Sequence, residues 1–174
     1  MIKESLYYGK ILLFGEYGII QDSMGLSIPY TDYNGKFLFE NNTEESKNSN
    51  LLLIDFYNHL LILQNKNELP CNLDLNQLKS DLDNGLHFDS SIPQGFGIGS
   101  SGAIVAAIYD RYCVEKKIDA ESQISNENIL ELKNTFSKLE SFYHGTSSGL
   151  DPLICYLKLL SLIHISEPTR PVTI

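Results

Sequence analysis

The chain has 174 residues, 43% of them hydrophobic and 20% charged, which is enough apolar material for one globular domain with a real core. Its 13 Lys and Arg stand against 22 Asp and Glu, a net charge of −9, so the surface as a whole repels polyanions and nucleic acid is not expected as a partner. The first residues do not read as an export signal, so export is not expected. The most apolar run, Leu51 to Leu63, is broken by Asp55, Asn58 and His59, so no membrane partner is indicated and a cytoplasmic protein is expected. Cys71, Cys113 and Cys155 are odd in number and widely spaced, which fits reduced packing thiols rather than a disulfide framework or a zinc site.

In chain order, Leu6 to Phe14 reads as a strand, and Gly25 to Tyr30 and Gly35 to Phe39 read as two more with turn residues between them. Glu40 to Asn50 is polar and charged and reads as a solvated loop; Leu51 to Gln64 then carries apolar residues along a helix-length stretch, expected to be well buried. A second helix is expected from about Asp74 to Asp83, ending at Asn84-Gly85, followed by a strand near Leu86 to Ile92. Ser101 to Lys116 places Ile104, Val105, Ile108, Tyr112 and Cys113 on one helical stripe, and Asn128 to Phe142 does the same with Ile129, Leu132, Phe136 and Leu139. Pattern alone thus gives a mixed α and β chain. His59 and His87 read as structural or solvent-facing side chains.

Between the strand expected near Leu86 to Ile92 and the helix from Ser101 lies Ser91-Ile92-Pro93-Gln94-Gly95-Phe96-Gly97-Ile98-Gly99-Ser100-Ser101-Gly102-Ala103. Alternate glycines clear side chains from the approach of an anion, and the helix start supplies N–H groups and the positive end of its dipole. Ser100 and Ser101 serve either as ordinary caps or as donors to a phosphate and its magnesium. A dinucleotide fingerprint fits Gly97 to Gly102 by spacing, but the residues around Asp119 hold no apolar strand; a P-loop fails because no Lys follows the last glycine.

Two further segments carry chemistry. Gly9-Lys10-Ile11-Leu12-Leu13-Phe14-Gly15-Glu16-Tyr17-Gly18 sets a lysine inside an apolar strand, where a buried ammonium needs a partner. Glu140 and Asp151 stand eleven positions apart across His144-Gly145-Thr146-Ser147-Ser148-Gly149, a stretch of small, turn-forming residues that can return the chain to one site. Phosphoryl transfer to an alcohol needs a metal ligand, a base and a positioning cation, and Glu140, Asp151 and Lys10 are candidates.

The three segments, in this order and at about these separations, resemble the three motifs of the GHMP kinases, with wording most similar to the mevalonate kinases, over residues 5 to 159. The resemblance implies an α+β two-layer domain, sheet on one side and helices on the other, with a left-handed β-α-β crossover. It implies ATP and Mg²⁺ as cofactors and a small-molecule alcohol as substrate. Gly95, Gly97, Gly99, Ser100, Ser101 and Gly102 would hold the phosphates, and Ser101 and Glu140 the magnesium. Asp151 would be the base and Lys10 its partner, while Glu16, Tyr17 and His144 would face the substrate. Two departures stand out: Tyr17 where mevalonate kinases carry histidine, and Gly102 where the loop continues with alanine, a change expected mainly to lower helix propensity. The family's C-terminal domain is missing, so the expectation is an N-terminal, ATP-binding domain over 1–159 that does not turn over by itself, a homodimer being one expectation for the longer protein. From Leu160 the string LSLIHISEPTR resembles a translated sequencing adapter, and 160–174 are left out of the fold reading. Within the family, phosphomevalonate kinase, diphosphomevalonate decarboxylase and the sugar and amino-acid kinases are rivals; outside enzymes, a non-catalytic nucleotide or metabolite sensor is the alternative.

Overall fold

The computed structural model describes residues 5–14, 25–39, 43–116, 125–158 and 161–163. Glu16 and Tyr17, and with them Asp119 and His164, lie outside the described residues. The fold is mixed α+β, an antiparallel sheet with five helices: β1 (Tyr7–Phe14), β2 (Gly25–Leu38), α1 (Glu44–Asn65), α2 (Leu75–Asp83), β3 (His87–Ser90), α3 (Ser100–Tyr112), α4 (Asn126–His144), α5 (Leu150–Leu157) and β4 (Ser161–Ile163). β2 lies between β1 on one side and β3 on the other, and all described pairings are antiparallel. The short β4, from the tail omitted above, pairs with Gly25 to Ser27 of β2.

Two expected strands merge into one. The register runs Tyr8 against Asn34 and then jumps to Gly9 against Tyr30, so Thr31, Asp32 and Tyr33 are extra residues on β2 rather than a turn between strands. The expected loop over Glu40 to Asn50 is also corrected, because α1 already begins at Glu44. Thr43 accepts from the Ser46 N–H while Ser46 Oγ accepts from the Thr43 N–H, and Glu44 and Glu45 sit at the positive end of the dipole, so polarity here marks a helix start. Nor is α1 buried throughout: Phe56 and Leu60 are fully enclosed, but Leu51, Leu52 and Ile62 are exposed. The third correction is at the end of α3, which stops at Tyr112 because Cys113 turns extended and pairs with Leu73.

The helices that frame the site share one core. Tyr109 of α3 meets Phe136 of α4 edge-on at 5.1 Å and Tyr156 of α5 at 5.3 Å, and Phe136 meets Tyr156 at 5.7 Å. Phe56, Leu132, Phe136 and Leu139 are wholly buried, each worth about 1.5–3 kcal/mol against exposure. Polar ties fix the outer elements. The Asn50 amide donates to the carbonyls of Leu86 (2.6 Å) and Leu82 (3.2 Å), joining α1 to the α2–β3 connection. Asp81 of α2 accepts from Arg111 Nη2 (2.8 Å) and Tyr112 Oη (2.7 Å) of α3. Cys71, Cys113 and Cys155 are free thiols, and among the described residues no helix is long and apolar enough to cross a membrane.

Candidate active site

α3 begins without a side-chain cap. Its N-cap is Gly99 at φ +82, a left-handed conformation that glycine adopts without steric penalty, so no capping side chain competes for the first-turn N–H groups. A Cβ at Gly99 would also stand 3.0 Å from Lys10 Cγ, so the lysine stem lies directly against this turn. The main chain repeats the contact, the Lys10 N–H donating to the Ile98 carbonyl at 2.8 Å. Gly95 and Gly97, also at positive φ, face open space, and Phe96 between them is 76% exposed. The result is an open loop leading to a helix N-terminus, a backbone cradle suited to phosphate.

Lys10 is buried, and its ammonium pairs with Asp151 Oδ1 at 3.0 Å. Asp151 sits in the first turn of α5, where the helix dipole favours a carboxylate, followed by Pro152, whose fixed φ suits a helix start. The neighbouring carboxylate, Glu140, projects from α4 and is 3% exposed. Ser101 Oγ donates to Glu140 Oε1 at 3.1 Å, and Ser147 Oγ donates to Oε2. His144 Nε2 lies 3.0 Å from Ser101 Oγ. A hydroxyl has one proton, so with Ser101 donating to Glu140 the imidazole is the donor to Ser101. Burial raises the Glu140 carboxyl above its ordinary range, the negative charge of Asp151 adding to this and the serine hydrogen bonds opposing it.

Lys10, Asp151, Glu140 and Ser101 therefore come together around the glycine loop from β1, α5, α4 and α3. His144, which the resemblance assigned to the substrate side, is exposed beside Ser101. Gly102 has a packing role: a Cβ there would lie 2.8 Å from both the Asp151 carbonyl carbon and Pro152 N. Its lack of a side chain lets α3 and α5 touch, which corrects the reading of this glycine as mainly a matter of helix propensity. Sequence reasoning missed Ser147 and the packing of Gly149, though the run Ser147-Ser148-Gly149 before Asp151 was the available signal. Among the described residues no group of three or more His, Cys, Asp or Glu side chains gathers as a metal cluster. The oxygen pair of Glu140 and Ser101 nevertheless fits Mg²⁺, which takes one or two protein oxygens and completes its shell with phosphate and water.

Searches among curated proteins and among solved structures returned no match. The family model described as the GHMP kinases N terminal domain matches residues 72–158, half of the chain. Together with the glycine loop and its carboxylates, that match places the chain in the GHMP kinase family, whose domain implies ATP-dependent phosphorylation of a small molecule.

Proposed function

We propose that this chain is the ATP-binding part of a mevalonate kinase, which transfers the γ-phosphoryl group of ATP to the primary hydroxyl of mevalonate in isoprenoid biosynthesis. The observation that carries the reading is the Lys10–Asp151 pair at 3.0 Å beside the uncapped start of α3. Lys10 lies outside the matched segment, yet β1 brings it to the base.

In this reading Gly95, Gly97, Gly99 and the first-turn N–H groups of α3 hold the phosphates, with Ser100 as a hydroxyl donor and the Ser101 oxygen, its proton directed to Glu140, turned to the metal. Glu140 and Ser101 hold Mg²⁺, which when bound neutralises charge on the transferring phosphoryl group. Asp151 takes the proton of the substrate hydroxyl as that oxygen bonds to the γ-phosphorus, the bond to the bridging oxygen breaks and ADP departs. Lys10 fixes the Asp151 rotamer and supplies positive charge where the oxygen becomes negative. His144 stands at the edge of the phosphate site, with Glu16 and Tyr17 assigned to the substrate side by motif. The domain is read as 1–159, with the family's left-handed β-α-β crossover and a C-terminal domain in the longer protein.

The test is ADP release with Mg²⁺ and a panel of mevalonate, phosphomevalonate, galactose and homoserine, on the reading frame extended past Leu159. Turnover on mevalonate that disappears in Asp151→Asn supports the proposal. Turnover on another alcohol replaces the substrate, and nucleotide binding with no turnover on the panel points to a sensor.

A further inference from the structure

In the loop between α4 and α5, Ser147 bonds back to α4. Ser147 makes three polar contacts: its carbonyl accepts from Ser137 Oγ at 2.5 Å, its hydroxyl accepts from the Gly149 N–H at 3.0 Å, and the same hydroxyl donates to Glu140 Oε2. Gly149, at φ +73, lies so close to α4 that a Cβ would stand 2.5 Å from Ser137 N. The next serine differs. Ser148 is exposed, and its hydroxyl accepts from the Leu150 N–H at 3.4 Å.

A carboxylate has two oxygens to satisfy, and Glu140, almost wholly enclosed, cannot meet that need from bulk water. With Ser147 on Oε2, Oε1 is left to face Ser101 across the mouth of the phosphate loop. Without Ser147, Oε2 keeps no donor among the described residues, and the carboxylate is free to rotate. The same hydroxyl that sets Glu140 also receives the N–H of the α5 N-cap, two residues before Asp151.

We propose that Ser147 is a positioning residue that aims the Glu140 carboxylate at the divalent cation and locks it to the helix start that carries Asp151. The inference rests on the reading of Glu140 as the metal carboxylate given above. A hydrogen-bond partner of a metal ligand typically changes metal affinity about 10–100-fold when removed.

The test is an electron paramagnetic resonance titration of Mn²⁺, as a probe for Mg²⁺, into the full chain with ADP, which needs no turnover. Ser147→Ala is expected to weaken Mn²⁺ binding about tenfold. Ser147→Thr keeps the hydroxyl and should restore it, and Ser148→Ala should match the unsubstituted chain. If Ser147→Ala does not fold, Ser147→Cys, close in size and a weak donor, takes its place with the same expected loss. Mn²⁺ binding in Ser147→Ala equal to that in Ser148→Ala, while Glu140→Gln binds poorly, overturns the positioning role and leaves the metal reading standing. Unchanged binding in Glu140→Gln overturns both.

Discussion

Adding one methyl group to the first turn of α3 discriminates between two accounts of Gly102. If the residue matters only through helix propensity, Gly102→Ala should stabilise the chain by about 1 kcal/mol. The geometry argues otherwise. The added Cβ would meet the Asp151 carbonyl carbon and Pro152 N at 2.8 Å, where an ordinary contact begins at 3.4 Å, and both are backbone atoms that cannot swing aside. Relief requires α3 and α5 to separate by about 0.6 Å, and overpacking of this kind typically costs about 1–3 kcal/mol. Propensity and overpacking then largely offset, giving a net loss of roughly 0–2 kcal/mol. The larger effect is on chemistry, because the displaced segment carries Asp151, whose contact with Lys10 spans 3.0 Å. A misplacement of about 1 Å can reduce turnover about 100-fold, so a shift of this size should lower kcat about tenfold or more, with little change in nucleotide KM. Urea denaturation and ADP release on the extended frame measure the two sides. A variant about 1 kcal/mol more stable and fully active would refute the packing argument.

Other outcomes follow from the polar groups. The raised Glu140 carboxyl binds its proton more tightly in the folded state than in the unfolded one, so its contribution to stability is present below the ordinary carboxylate range and is lost as pH rises through the folded value. Glu140→Gln should therefore be more stable than the parent at pH 8 and converge with it near pH 4 in thermal melts. Asp81 has the opposite sign: burial pushes its carboxyl up, but hydrogen bonds from Tyr112, Arg111 and Gln77 outweigh this and hold it below the usual range. Its contribution is present above the unfolded value and is lost as pH falls through the folded one. Asp81→Ala, which removes the carboxylate shared by Arg111 and the Tyr112 hydroxyl, should lower stability by about 3 kcal/mol at pH 7 by urea denaturation. Thr43→Ala should remove about 1 kcal/mol and expose the first turn of α1 to faster amide exchange.

How far the sequence could be read depended on whether a local rule governed the position. Asp74 caps α2 and Gly85 at φ +84 follows it, as the turn chemistry required. The start of α1 was hidden because Thr43 to Asn50 is as polar as a loop, and only the Thr-to-Ser spacing distinguished it. Thr31 to Tyr33 looked like a turn, but the partner strand takes them up as a bulge, a tertiary outcome that no local pattern reveals. Within the site, residue types announced Lys10, Glu140, Asp151 and the glycine loop. The roles of Gly102 and Ser147 depend on which backbone lies opposite, and that is decided by the packing of α3, α4 and α5.

The ion pair at the centre of the site also sets an order of events. Lys10 enters the growing polypeptide 141 positions before Asp151, and until that aspartate emerges the strand bearing the lysine has no ionic partner to complete it. A nascent chain that has reached α3 carries the glycine loop but neither Glu140 nor Asp151. During synthesis the pair therefore closes only after the start of α5 has emerged, so the first strand and the last helix of the site are joined late.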